Sequence, residues 1–107
     1  GRTIAVLGML ADKDAAGVLA PLARLIDAWH LASLDGPRGA TAQQLAASLT
    51  ALGVTALHSH DDVAAACHAA QRSAGAGDRV LVFGSFHTVE QALRSHLLPA
   101  EAPPATL

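Results

Sequence analysis

Gly84, Ser85 and His87 stand at the junction between a buried strand and a helix, where an anion can bind. The apolar run Val80–Phe83 leads into them, and a helical pattern begins at Thr88. A helix N-terminus leaves backbone N–H groups without partners in the helix, and these groups attract a carboxylate or a phosphate. The Ser85 hydroxyl and the His87 ring can add hydrogen bonds to such a ligand. The alternative is that Ser85 or Thr88 only caps the helix, although a serine can do both.

Two more polar loops carry charged side chains that suit anionic substrates. Asp12-Lys13-Asp14 places one cation between two carboxylates, so that Lys13 can pair with a substrate anion while the aspartates orient it. The alternative is a solvated turn in which Asp14 caps the next helix. Arg38 lies in a loop stiffened by Pro37, and its guanidinium can bind a phosphate or a carboxylate through two hydrogen bonds. A surface arginine in a turn is the alternative for that position.

Four short apolar runs alternate with segments of helical periodicity, which indicates the order β-α-β-α-β-α-β-α. The predicted strands are Thr3–Met9, Asp27–Leu34, Val54–His58 and Arg79–Phe83. Continuous apolar strands of this kind are typical of a mainly parallel sheet with helices on both faces, an α/β three-layer sandwich. Ligands bind beyond the carboxyl ends of such strands. Because each polar loop follows a strand, we expect the three loops to share one edge of the sheet.

The first two helices have recognisable start and stop signals. The apolar pattern of the first helix contains Pro21, which removes a backbone hydrogen bond. We therefore expect a kink there, or a helix that begins near Pro21. Thr41 and Gln44 have the spacing of a capping box for the second helix, and Gly53 ends it.

The third and fourth helices complete the predicted domain. His60 or Asp61 is expected to open the third helix. Its predicted inward-facing residues are Val63, Ala66, Cys67 and Ala70. The fourth helix is predicted over Thr88–Leu98. The domain would then occupy residues 1–98, and residues 99–107 would form a flexible tail.

Composition narrows the class of protein. The chain has 107 residues, enough for one domain, with a net charge of -2 and scattered arginines, which argues against nucleic acid or an anionic membrane as a partner. The apolar runs are too short to cross a bilayer and no signal peptide is present, so we expect a cytoplasmic protein.

Cys67 has no cysteine to pair with and is expected to be buried. Gly1-Arg2 leads straight into a strand without an initiator methionine, so we interpret the chain as a piece of a larger protein.

Metal and nucleotide motifs are not found. His58 and His60 would share one face of a strand, but zinc needs three or four ligands and no third histidine or cysteine stands near them in the sequence. We therefore predict no metal site and assign no role to His30, while Trp29 is expected in the core. The sequence has no Gly-x-x-x-x-Gly-Lys-Ser/Thr, Gly-x-Gly-x-x-Gly or Gly-x-Ser-x-Gly motif. A self-sufficient catalytic centre is not expected.

The three loops, in this order, resemble the C-terminal domain of bifunctional folylpolyglutamate synthase/dihydrofolate synthase, of the Mur ligase superfamily. The resemblance extends to about Leu98. The matching segments are Gly8–Asp14 with Ala16-Gly17, Gly36–Thr41 and Val80–Val89.

The resemblance implies a Rossmann-like Mur ligase C-terminal (glutamate ligase) domain that closes over an N-terminal P-loop domain of the same chain. The complete enzyme would use ATP and magnesium to phosphorylate a carboxylate of dihydropteroate or of a folate. The amine of L-glutamate then attacks the acyl phosphate. Because the P-loop and the magnesium ligands would belong to the N-terminal domain, the fragment alone should be inactive and should bind no cofactor of its own.

By position in the family, Ser85 and His87 look like glutamate-binding residues, and Lys13 looks like a carboxylate-binding or charge-stabilising cation. Further positions that the resemblance places on the same edge, with a less defined role, are Asp12, Asp14, Arg38 and Gly84. Two alternatives stay open. The chain could instead be a non-catalytic α/β module that binds an anion or small molecule, or the C-terminal domain of another Mur-type amino-acid ligase.

Overall fold

The computed structural model describes residues 1–11 and 14–84. In this part of the chain four strands alternate with three helices and one short 3₁₀ turn, Ala20–Leu22. The strands are β1 (Thr3–Leu7), β2 (Ala28–Ala32), β3 (Leu57–His60) and β4 (Arg79–Phe83). The helices are α1 (Ala15–Leu19), α2 (Ala42–Ala51) and α3 (Val63–Ser73).

The strands form one parallel sheet in the order β3-β2-β1-β4. β1 is central, pairing Ile4 with Ala28 on one side and with Val80 on the other. Because crossovers between parallel strands are made by helices, both faces of the sheet become covered. The predicted α/β three-layer fold with a mainly parallel sheet is therefore confirmed.

Alternate residues of the strands pack into two separate cores. Ala5, Leu7 and Trp29 face α1 and α2, and the Trp29 ring meets the Phe83 ring edge-on with centroids 6.0 Å apart. The other face packs against α3. Its buried residues are Ile4, Val6, Ala32, Leu34, Val63, Ala66, Cys67 and Ala70. The inward-facing residues predicted for the third helix and the core position of Trp29 are thus confirmed.

Side chains in the loops define where the first two helices begin and end. The Thr41 hydroxyl accepts from the Gln44 N–H at 3.1 Å, and the Gln44 side chain accepts from the Thr41 N–H at 2.8 Å, which confirms the capping box. Gly53 follows α2 with a φ of 88°, as expected of a glycine that ends a helix. α1 ends at Leu19 and the 3₁₀ turn containing Pro21 follows it, because proline cannot donate the hydrogen bond that would continue an α-helix.

Several predicted boundaries were wrong. β3 begins at Leu57 rather than Val54, because the Val54 N–H donates to the Leu49 carbonyl at 3.1 Å and so completes the end of α2. It continues to His60, which the register pairs with Ala32 of β2. α3 is capped by neither His60 nor Asp61.

The residue that caps α3 is Asp62, whose carboxylate accepts from the Ala65 N–H at 2.8 Å. β1 ends at Leu7 rather than Met9, and β2 is shorter than predicted, since the backbones of Met9 and Leu34 hydrogen-bond to Ala40 in the loop after β2 instead of continuing the strands. The predicted fourth helix over Thr88–Leu98 and the tail over residues 99–107 lie outside the described residues. None of the helices within residues 1–11 and 14–84 is long and apolar enough to cross a bilayer.

Candidate functional site

The loops that follow β1 and β2 are hydrogen-bonded to each other at the carboxyl edge of the sheet. The Ala11 N–H donates to the Arg38 carbonyl at 2.7 Å, and the Ala40 N–H donates to the Met9 carbonyl at 2.9 Å. Leu10 and Gly39 pair between them as an antiparallel bridge. A short ribbon therefore fixes the position of one loop relative to the other, as the shared edge requires.

The loop after β4 starts against the loop after β1. Gly84 has a φ of 122°, and a Cβ atom at this position would overlap the carbonyl oxygen of Gly8. Only glycine satisfies both constraints, because other residues rarely adopt this φ and carry the Cβ that would collide. Phe83 links the two strand ends through its carbonyl, which accepts from the Gly8 N–H at 3.4 Å. The beginnings of all three loops therefore meet at one edge, which confirms that part of the prediction.

Two concave regions flank the ribbon and share Leu10 as a wall. The first has a volume of about 330 Å³ and lies between the starts of α1 and α2, with Asp14, Gln44 and Ser48 as its polar lining. The second has a volume of about 360 Å³ and is lined by Leu34 and the loop 35–39. Both are large enough for a small carboxylate, and both open at the edge where α/β sheets bind ligands.

Asp14 and Arg38 are the two charged positions predicted for this edge that lie within the described residues. The Asp14 carboxylate accepts from the Gly17 N–H at 3.1 Å, so it caps α1 and also lines the first concave region. A Cβ at Gly17 would push that carboxylate out of its capping position. Arg38 lies in the second region, and its carbonyl belongs to the ribbon. Asp12, Lys13, Ser85 and His87 lie outside the described residues, and their roles stay predictions.

A histidine cluster elsewhere in the fold was missed from the sequence. The Nδ1 atom of His30 lies 2.9 Å from the Nε2 atom of His60, and the His30 ring stacks on the His58 ring with centroids 4.8 Å apart. The register that pairs His30 with His58 would have revealed the cluster, but it follows only from correct bounds for β3. No group of three or more His, Cys, Asp or Glu residues within the described ranges is arranged to hold a metal ion.

Comparison with known proteins gives the same family over most of the chain. Residues 1–86 match the model of the Mur ligase, glutamate ligase domain family. The dihydrofolate synthase/folylpolyglutamate synthase of Escherichia coli (strain K12) is 54% identical over 93 residues, which are 87% of this chain and 21% of that protein. The chain therefore spans about a fifth of the length of this curated relative.

Solved structures agree with this match. A structure of the E. coli enzyme FolC in complex with DHPP and ADP superimposes with a TM-score of 0.80 at 52% identity, covering 88% of this chain and 22% of that one. A bifunctional folylpolyglutamate synthase/dihydrofolate synthase with Mn, AMPPNP and L-glutamate bound has a TM-score of 0.80 at 41% identity, covering 92% and 23%. Together with the parallel sheet and the three loops at its edge, these matches show that the chain belongs to the Mur ligase glutamate ligase domain family.

Proposed function

We propose that this chain is the amino-acid half of a two-domain, ATP-dependent ligase that adds L-glutamate to dihydropteroate and to folates. One observation carries the proposal. In the three segments that resemble the folylpolyglutamate synthase/dihydrofolate synthase family, the loops begin at a single edge of the sheet, joined by the Leu10–Gly39 bridge and by the close approach of Gly84 to Gly8. The relative with L-glutamate bound supports the choice of amino acid.

The reaction explains why such an edge is needed. A carboxylate becomes a usable electrophile only when a phosphoryl group makes a leaving group of one of its oxygens. The glutamate amine must then be held close to the acyl phosphate, which replaces an improbable encounter in solution by a positioned attack. Charge that develops in the transition state needs fixed cations and N–H donors. In our proposal Ser85 and His87 hold the glutamate carboxylate, and Lys13 supplies the cation.

We propose that the nucleotide and its magnesium ion are held mainly by an N-terminal P-loop domain of the parent protein. The described residues offer no group of three metal ligands, whereas relatives about five times as long are known with nucleotide bound. When bound, ATP supplies the phosphoryl group that activates the acceptor carboxylate. This chain would contribute glutamate binding and closure over the nucleotide, and by itself it would be inactive. We further propose a cytoplasmic location, where ATP is available.

The choice of amino acid tests the proposal. The full-length parent is incubated with ATP, magnesium and dihydropteroate, and ADP release is compared with L-glutamate, L-aspartate, L-alanine and no amino acid. Release that depends on L-glutamate supports a folate-type ligase. Release with a different amino acid would assign the chain to another Mur-type ligase, and no amino-acid-dependent release would favour a non-catalytic binding module.

A further inference from the structure

His30, His58 and His60 bring three imidazole rings together on the face of the sheet that packs against α3. His30 is only 4% exposed, and it alternates along β2 with Ala28 and Ala32, which pack on that face. Its ring stacks on the His58 ring with centroids 4.8 Å apart and lies nearly parallel to the His60 ring with centroids 5.1 Å apart. The cluster lies on β2 and β3, the two neighbouring strands at one end of the strand order.

The contact between His30 and His60 accepts only certain protonation states. The Nδ1 atom of His30 and the Nε2 atom of His60 are 2.9 Å apart, a hydrogen bond in which one nitrogen donates and the other must keep its lone pair. A proton on both nitrogens would place two N–H groups face to face. This bond therefore breaks when both rings become protonated.

The surroundings of the cluster disfavour even the first proton. Burial, followed by the neighbouring rings of His58 and His60, lowers the pKa of His30 to about 4. Burial and His58 also lower the pKa of His60, although Asp61 and Asp62 act in the opposite direction.

Apart from Asp61 and Asp62, the described elements that pack on this face place no charged side chain among its buried residues. From α3 the titratable group on this face is Cys67, whose thiol stays neutral because burial raises its pKa to about 11. The strand β1 contributes apolar side chains here, namely Ile4 and Val6.

β3 carries two of these histidines and stands at the end of the described sheet. Within the described residues β3 pairs with β2 alone, and it lies at one end of the strand order. The Trp29 N–H donates to the Ala56 carbonyl at 2.9 Å, and the Ser33 N–H donates to the His60 carbonyl at 3.2 Å. The Ser33 hydroxyl also accepts from the Ala42 N–H at 2.8 Å, so Ser33 connects β3 to the first residue of α2.

We propose that His30 and His60, with the His58 ring stacked on His30, form a proton-sensitive anchor, which holds β3 to β2 while the His30 and His60 rings are neutral and releases it when they are protonated. The sign follows from linkage. When β3 separates from β2, His30 and His60 bind protons near the ordinary histidine pKa of about 6.5, whereas in the paired state they bind protons only at lower pH. The stabilisation is therefore complete above about pH 6.5 and is lost as the pH falls below it.

Amide hydrogen exchange on the full chain tests this proposal. After correction for the intrinsic exchange rate, protection of the Trp29 and Ser33 amides should fall about tenfold between pH 7.5 and pH 5.5, as expected for one group that shifts from a pKa of about 6.5 to about 4. The Arg79 amide, which donates to the Arg2 carbonyl between β1 and β4, should keep its protection over this range.

Two variants and one control identify the groups responsible. His30→Gln should abolish most of the tenfold change, because an amide side chain can hydrogen-bond but does not titrate in this range. His60→Gln should only reduce the change, because it removes the hydrogen-bond partner and leaves His30 buried. His68→Gln replaces an exposed histidine of α3 and should leave the change intact. The proposal is overturned if the Arg79 amide loses protection in parallel with Trp29 and Ser33. It is also overturned if a folded His30→Gln chain retains the tenfold change.

Discussion

Gly84 joins the end of β4 to the loop after β1, and replacing it by alanine tests whether the three loops meet as the structure indicates. Gly84→Ala introduces a Cβ at a φ of 122° and drives it into the Gly8 carbonyl. Gly53→Ala is the matched control, because Gly53 has a φ of 88° but a Cβ there would meet nothing within 4 Å. The control therefore contains the backbone strain without the collision.

The expected costs differ enough to be measured. A positive φ costs a residue with a Cβ roughly 1–2 kcal/mol, which is the whole effect expected of Gly53→Ala. Overpacking against a fixed backbone adds about 1–3 kcal/mol, so Gly84→Ala should lower the free energy of unfolding by about 2–5 kcal/mol. A small domain has about 5–15 kcal/mol in total, so most of this range leaves a folded protein to study.

Urea unfolding of the two glycine variants and the parent chain gives the comparison. The urea concentration at the unfolding midpoint should be highest for the unsubstituted chain, lower for Gly53→Ala and lowest for Gly84→Ala. The slope of the unfolding free energy against urea concentration should be unchanged. If Gly84→Ala is no less stable than Gly53→Ala, the close approach of the two loops is refuted. The convergence of the three segments at one edge would then lose its support.

Two further predictions concern the core and the ion pair between Arg2 and Asp78. Leu49→Ala removes a fully buried side chain of α2 and should lower the free energy of unfolding in urea by about 2–5 kcal/mol. Leu25→Ala, at a side chain that is 67% exposed, should change that free energy by less than about 0.5 kcal/mol. Equal effects of the two substitutions would contradict the packing of α2. Hydrogen bonds from the Gly75 and Arg2 backbone N–H groups and from the Arg2 side chain lower the pKa of Asp78 to about 2. Its contribution to stability is therefore present above about pH 4 and is lost as the pH falls towards 2. Asp78→Asn should flatten the acid side of a plot of urea midpoint against pH, and an unchanged slope would contradict this assignment.

Local signals in the sequence were sufficient for much of the fold. The capping box of Thr41 and Gln44 uses atoms within four residues, and the apolar runs of β1 and β4 leave little choice of structure. The bounds of β3 were not predictable in this way, because the strand excludes Val54 and extends to His60. Its start depends on the end of α2, where the Val54 N–H donates to the Leu49 carbonyl. Its end depends on pairing with β2, whose residues are distant in the sequence.

The candidate site likewise has features that the sequence predicts and features that it does not. The order of the strands was enough to predict that the loops share an edge, because parallel strands all end on the same side. The ribbon between Leu10 and Gly39 could not be predicted, since it consists of backbone hydrogen bonds that leave no pattern in residue types. The histidine cluster was missed because His30 and His60 are thirty positions apart and meet only through the register of β2 and β3.

Dependence on L-glutamate in variants of the full-length parent tests most directly whether this edge binds the amino acid. ADP release is measured against L-glutamate concentration for the parent, Ser85→Ala and Lys13→Ala, with Ser59→Ala and Arg24→Ala as exposed controls of the same residue class. Loss of one charge-assisted hydrogen bond to the bound carboxylate costs about 1.5–3 kcal/mol, so kcat/KM for glutamate should fall about ten- to a hundredfold in the first pair and remain near that of the parent in the controls. If Ser85→Ala and Lys13→Ala use glutamate as the controls do, the edge does not bind glutamate through these residues, and the central claim is wrong.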